Sequence, residues 1–344
     1  MKTYEPSLEV PPTRQIKVAV PRQIGQTVSR PVGSSAVRLK SILVPVDFSD
    51  PSSAALDEGA RLAERFGGHL TLVHVIEGTD AELTNGKFRL HVSKGIEATA
   101  AKSQMEKLVR ERGIDAALVE QAAVLEGPAF YQICELARKS NTDLIAIATH
   151  GFTGLKHLML GSTAERVARY APCPVLVARN HLRQRDAQGK LARLEFRKIL
   201  VPLDFSEFSV VAMNYASAFA RDFGAERRFI HAVYPKYYFT GSDGDMIGYA
   251  KLLDDLEGAA EKQMADFVKQ RRFVGKKVSS AVHRGHPVTV ILDEANDAGS
   301  DLIVIPTHGR TGFKRAWLGS VAENVVRLAK CDVLVVRSRE HDFV

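Results

Sequence analysis

Short runs of Ile, Leu and Val alternate along this chain with longer stretches whose apolar residues recur three and four apart, and the two patterns predict different elements. In residues 39–180 the runs Ile42–Val46, Leu70–Ile76, Ala117–Gln121, Leu144–Ala148 and Val175–Ala178 read as strands, the third being the weakest. The stretches between them, such as PSSAALDEGARLAERFG and GPAFYQICELARKSN, read as helices that end at Gly or Asn. Strand and helix in alternation predict a parallel sheet with right-handed crossovers and helices on both faces. Pro45 and Pro202 fall inside the first apolar run of their halves, where a central strand needs its ladder donors. Placing each Pro at the strand's end, where pairing stops, removes that conflict.

The pattern is written twice. Residues 40–56 (KSILVPVDFSDPSSAAL) return as residues 197–213 (RKILVPLDFSEFSVVAM), and most positions of residues 143–179 are identical in residues 301–337. Solenoid units repeat every ~20–50 residues. A period this much longer predicts that each copy is a whole domain with its own core. The expected organisation is an arm over residues 1–38, domains over residues 39–180 and 196–338, a linker over 181–195 and a tail over 339–344. The fold class is α/β, two tandem doubly wound domains, each a five-stranded parallel sheet flanked by helices. The last runs, VLVAR and VLVVR, are apolar edges that need covering.

Composition narrows the function classes. The 344 residues carry 47 Lys and Arg against 40 Asp and Glu, a formal net charge of +7. Much of the excess lies in the arm and its junction, where Lys2, Arg14, Lys17, Arg22, Arg30, Arg38 and Lys40 face only Glu5 and Glu9. The remainder is close to balanced, so the arm reads as solvated and nucleic acid is not the expected partner. No apolar run approaches the ~18 residues of a membrane span, and no charged start with an apolar core marks a signal peptide. Cys134, Cys173 and Cys331 are too few and scattered for a disulfide framework or zinc spacing. A cytoplasmic location is expected.

In open parallel sheets ligands sit beyond the carboxyl ends of the strands, where strand order reverses. Asp47-Phe48-Ser49 and Asp204-Phe205-Ser206 follow strand one; Thr149-His150-Gly151 and Thr307-His308-Gly309 follow strand four. Nine residues separate Gly151 from Gly161 and Ser162, and nine separate Gly309 from Gly319 and Ser320. Glycines allow backbone amides to approach an anion, and a helix's first turn carries partial positive charge, so phosphate is the expected guest. Ser162 with Glu165, and Ser320 with Glu323, also read as capping boxes; both readings stand. Asp47 and Asp204 would accept hydrogen bonds from ribose or base, or else cap the next helix. GxxxxGK[ST] and GxGxxG are both absent. His150 and His308 could donate to a phosphate oxygen, Asp50 or Glu207 could hold Mg2+, and Lys156 and Lys314 face phosphate or solvent. His74 and His231 match in strand two, as do His150 and His308 after strand four, which leaves a histidine-only metal site as a minor option. Cys173 and Cys331 read as inert packing residues. Tyr234–Met246 has no counterpart in the first domain and reads as a pocket cover or a variable loop.

With these residues laid out, each half resembles the universal stress protein family, and the chain is similar to a tandem member of it. The family's ATP-binding members carry Gly, two residues, Gly, nine residues, Gly, then Ser or Thr. Here the first Gly is replaced by Ala148 in one half and Pro306 in the other. The resemblance implies a Rossmann-like, adenine nucleotide alpha hydrolase-like fold. It implies that Gly151, Gly161, Ser162 and the adjoining Thr163 surround phosphates, with Pro45, Asp47, Val75, Ala148 and His150 completing the first site. The second site would use Asp204, His308, Gly309, Gly319, Ser320 and Val321, with Ala232 where the base would lie. It further implies an internal pseudo-dimer through the last strands, with association of two chains as an extension. The expected function is binding of ATP or a related adenine nucleotide, with or without Mg2+, in stress response and without rapid catalysis. A scaffold with degenerate sites and a slow ATP hydrolase are the alternatives. Ala148 adds one methyl, whereas Pro306 removes an amide and fixes φ, so the first domain is the expected binder.

Overall fold

The computed structural model describes residues 37–77, 83–84, 87–88, 94–149, 161–179, 194–234, 243–271, 273, 277–307 and 318–337. The first half contains β1 (Ser41–Pro45), α1 (Asp50–Phe66), β2 (His69–Ile76), β3 (Leu83–Thr84), β4 (Lys87–Phe88), α2 (Lys94–Glu111), β5 (Val119–Glu126), α3 (Ala129–Lys139), β6 (Leu144–Ala148), α4 (Ser162–Tyr170) and β7 (Val175–Ala178). The second contains β8 (Lys198–Pro202), α5 (Glu207–Phe223), β9 (Glu226–Val233), α6 (Asp243–Lys269), β10 (Val278–Arg284), α7 (Pro287–Ala298), β11 (Leu302–Pro306), α8 (Ser320–Leu328) and β12 (Asp332–Val336). Each half contributes five parallel strands in the order 3-2-1-4-5, as the doubly wound reading requires, while β3 and β4 pair antiparallel with each other in a separate two-stranded sheet.

The weak third run was misplaced. Residues Ala116–Leu118 form a short 3-10 turn, started by Asp115 accepting from Ala117 N at 2.9 Å, and the strand is Val119–Glu126. As an outer strand β5 mixes exposed and half-buried positions, so it lacks the continuous apolar run that marks β1 or β6.

The two sheets are one. β7 and β12 pair antiparallel, Val175 with Val335, Leu176 with Leu334 and Val177 with Val333, giving a ten-stranded sheet bounded by β5 and β10. The apolar edges VLVAR and VLVVR, expected to need covering, cover each other at the centre of this sheet. Leu176 and Leu334 point into a core shared with α1, α2, α5 and α6, and their valine neighbours point into a second core shared with α3, α4, α7 and α8. Both cores run through both halves.

Cross-links accompany the strand pairing. On one face Phe66 of α1 meets Phe219 and Phe223 of α5 at 6.4 and 5.9 Å between ring centroids, and Arg65 lies 4.2 Å over Phe223. On the other, Arg179 beyond β7 donates to Val326 O of α8, while Arg337 beyond β12 donates to Ala168 O of α4 at 2.9 Å. Each half thus satisfies carbonyls near the last turn of the other's final helix. Val37 and Leu39 ahead of β1, and Leu194 and Phe196 ahead of β8, are buried. Asp143 Oδ2 accepts from Lys40 N and Ser41 N at 2.8 and 2.9 Å, and Asp301 Oδ2 accepts from Arg197 N and Lys198 N at 2.8 Å, so β1 and β8 start in register with β6 and β11.

Because the cores are shared, urea is expected to unfold both halves in one transition monitored by circular dichroism. Leu176→Ala should move that transition by about 2–5 kcal/mol without splitting it; two separate transitions would contradict the shared core. The cysteines give a pH signature. Burial pushes the Cys134 thiol from its ordinary 9.0 up to about 11 and Cys331 up to about 12, and raises Cys173 as well. The unfolded thiols ionise first, so their contribution is complete below pH 9 and is lost as pH rises toward the folded values. A Cys134→Ala variant should lose less stability than the unmodified chain between pH 9 and 11, and the thiols of the native protein should resist alkylation at pH 8 until urea is added.

Candidate functional site

The sheet opens where its order reverses. β1 pairs with β2 over five residues but with β6 only at Ile42–Leu144 and Leu43–Ile145; β8 and β11 meet only at Ile199–Leu302 and Leu200–Ile303. Beyond those pairs the strands diverge and leave a crevice at their carboxyl ends. Pro45 and Pro202 close their strands beside it. Val46 N still donates to Val73 O at 2.8 Å, and Leu203 N to Ile230 O at 2.8 Å, so the chain stays pinned on its β2 or β9 side. Alternation then turns the proline nitrogen toward the crevice, where no ladder donor is needed.

The turn that follows is strained and held the same way in both halves. Phe48 and Phe205 adopt left-handed conformations, φ 65° and 61°. For an aromatic residue this costs of the order of 1–3 kcal/mol. Asp47 Oδ1 accepts from Ser49 N at 3.1 Å and Ser49 Oγ at 2.6 Å; Asp204 Oδ1 accepts from Ser206 N at 3.0 Å, Ser206 Oγ at 2.6 Å and Ser209 Oγ at 2.6 Å. Ser49 and Ser206, rather than the aspartates, cap α1 and α5 by accepting from Ser52 N and Ser209 N. The helix-capping alternative for Asp47 and Asp204 is thereby corrected: each carboxylate holds the capping serine. Below the turn, Phe48 packs on His74 at 4.7 Å and Phe205 on His231 at 4.5 Å. Each histidine places Nδ1 against a carbonyl, Val46 O at 2.8 Å and Leu203 O at 2.7 Å, which requires Nδ1 to be the donor. These histidines buttress the turn. The sequence reading missed this role and that of the phenylalanines; the Asp-x-Ser spacing was the available signal.

Across the crevice, Gly161 N donates to Thr149 O at 2.6 Å and Gly319 N to Thr307 O at 2.8 Å, tying the start of α4 and α8 to the ends of β6 and β11. A Cβ on Gly319 would lie 3.3 Å from Thr307 O, so the glycine allows this close approach. Gly161 and Gly319 are the N-caps, and no side chain caps either helix among the described residues. The capping-box alternative is therefore overturned: Ser162 and Ser320 are the first helical residues, and Glu165 and Glu323 reach Arg169 at 2.9 and 3.4 Å instead of bending back. Among the described residues, the first-turn amides of each helix meet no side-chain cap, and an exposed serine hydroxyl stands beside the crevice in each half.

Ala148 continues the ladder opposite Ala178, and its methyl packs with Ala55 of α1. Pro306 sits opposite Val336, and Thr307 N still donates to Val336 O at 3.0 Å, so the turn after Pro306 is anchored to β12. Thr163 and Val321 are half-buried in the first turns of their helices. Val75 and Ala232 are half-buried and pack against the core under α3, α4, α7 and α8. His150, Gly151, His308 and Gly309 lie outside the described residues, as do Lys156, Lys314 and residues 235–242 of the Tyr234–Met246 segment. Asp50 and Glu207 open α1 and α5 and are exposed. Among the described residues no group of three or more His, Cys, Asp or Glu could hold a metal ion.

Known proteins share this architecture. A universal stress protein of Mycolicibacterium smegmatis is 29% identical over 306 residues, covering 87% of this chain and 97% of the relative. One from Methanocaldococcus jannaschii is 34% identical over 146 residues, covering 41% of this chain and 82% of the relative. The crystal structure of a universal stress protein from Archaeoglobus fulgidus superposes with a TM-score of 0.58 at 20% identity, over 89% of this chain and 98% of that one, which establishes likeness of fold. The model of the universal stress protein family matches residues 38–179 and again 195–337, and the chain belongs to that family.

Proposed function

We propose that the chain binds an adenine nucleotide, ATP foremost, in the crevice of its first half, and that binding serves regulation in a cytoplasmic stress response. The observation that carries this reading is the start of α4: an uncapped helix tied by Gly161 N to the end of β6, facing the gap where β1 and β6 part. Such a helix start is an anion site by its amides and dipole. Gly151, the nine-residue interval and Gly161-Ser162 repeat the pattern of the family's ATP-binding members and supply the adenine part of the proposal. Mg2+ enters as the nucleotide's own counter-ion. Turnover is not the primary role, because Asp47 and His74 are both engaged in holding the turn after β1.

The second crevice repeats this frame, but Pro306 brings no amide to the phosphate end, where Ala148 has one. The first half is therefore the tighter site. Ser162→Glu puts a carboxylate in the first turn of α4, which suits the helix dipole but repels a phosphate. Calorimetry of the full chain with ATP should show the tighter class weakened by at least about tenfold, about 1.4 kcal/mol, with thermal stability unchanged or raised. Ser320→Glu should weaken only the looser class. Unchanged ATP binding in Ser162→Glu, or no ATP binding by the unmodified chain, would refute the proposal.

A further inference from the structure

The two crevices differ at the end away from the phosphate amides. In the first half Glu77 follows β2, and its Oε1 accepts from Ala129 N at 3.1 Å, closing the start of α3. The matching position after β9 is Tyr234, and the start of α7 has His286 as N-cap with no side-chain cap. The backbones correspond: Gly127 N donates to Ile76 O and Gly285 N to Val233 O, each at 3.1 Å. The change lies in what the side chains offer and in Pro287, which leaves α7 without the amide that Ala129 N supplies to Glu77 at the start of α3. Glu77 offers a carboxylate engaged by a helix, and Tyr234 offers a ring that is 50% exposed and meets the His286 ring edge-on at 5.2 Å.

Placement makes this more than a surface difference. Along β9, His231 packs with Phe205 on the α5 and α6 side, whereas Ala232 packs on the α7 and α8 side. Side chains alternate along a strand. Tyr234 therefore shares the face of Ala232, and its contact with His286 at the start of α7 agrees. That face also carries the uncapped start of α8. β8 alone separates β9 from β11, and because β8 and β11 part after two pairs the ends of β9 and β11 lie more than two strand spacings, about 10 Å, apart across the opening. Between them Ala232 takes the place of the larger Val75 and leaves more room.

We infer that Tyr234, backed by His286, is the specificity-determining wall of the second crevice and takes the flat face of a purine or similar heteroaromatic ring. The first crevice, with Glu77 and Val75 in those places, holds its ligand by the phosphate end. This rests on reading the crevices as nucleotide sites. Stacking on an aromatic ring supplies affinity that depends on the base and not on the phosphates. The two halves are then unequal in opposite senses, and one chain carries a phosphate-dominated site and a base-dominated one.

The test uses the full chain with Ser162→Glu, which weakens the first crevice, titrated with ATP and with inorganic tripolyphosphate, and follows the binding class that Ser320→Glu removes. Adding Tyr234→Ala should weaken ATP about tenfold and leave tripolyphosphate unchanged, and Tyr234→Phe should restore ATP to within about twofold, as a ring-stacking role demands. Unchanged ATP affinity in Tyr234→Ala, or equal loss of ATP and tripolyphosphate, overturns the inference while leaving nucleotide binding intact. If the Ser162→Glu chain binds neither probe, the inference falls but ATP binding by the first half stands. If the unmodified chain binds no ATP, both fall.

Discussion

Three residue pairs between β7 and β12 fix the relation of everything else in the molecule. A parallel sheet must cover both faces and protect its edges. By joining their last strands the halves remove two apolar edges at once and lay both cores across the junction. Arg179 and Arg337 then exchange helix ends across the same line, and Phe66 meets Phe223 on the opposite face. The crevices are consequently set in one body, and the strands left at the outside, β5 and β10, are the mixed, partly exposed ones.

Within each half, structure is sacrificed at one place. The ladder between β1 and β6 stops after two pairs, Pro45 closes β1 without a donor, and Phe48 sits in a left-handed conformation. Such departures persist because neighbours over-determine them: Asp47 holds Ser49, Ser49 caps α1, and His74 binds Val46 O beneath the Phe48 ring. The same set recurs around Asp204, Phe205 and His231. Among the described residues, strain, an open sheet and a helix start without a side-chain cap coincide at the carboxyl edge.

Duplication has left the two crevices free to differ. At the end beside α4 and α8 the contrast is one backbone amide, present at Ala148 and missing at Pro306. At the opposite end it is a carboxylate at Glu77 against a ring at Tyr234. Neither change disturbs the frame, since Thr149 and Thr307 bind Gly161 and Gly319 alike and Gly127 and Gly285 bind the strand beside them alike. Family membership therefore describes the frame, and the two halves differ in single residues at its rim.

The repeat, the parallel α/β class and four of the five first-half strands were legible in sequence, because buried parallel strands are continuous apolar runs and amphipathic helices have their own period. The third strand was misread because an edge strand has no such run. Ser162 and Glu165 looked like a capping box because local spacing satisfies that motif; the pull of Thr149 O on Gly161 N, a contact made across the fold, shifts the helix start by one residue. Asp47 was visible, but not that it grips Ser49 while Phe48 stacks on His74, since that needs β1 and β2 side by side. Sequence by itself determined which segments form and which chemistry flanks them, as these follow from local periodicity and residue type. Only the tertiary structure decided the joined sheet, the helix starts left uncapped and the side chain at each rim, because these depend on contacts between residues far apart in the chain.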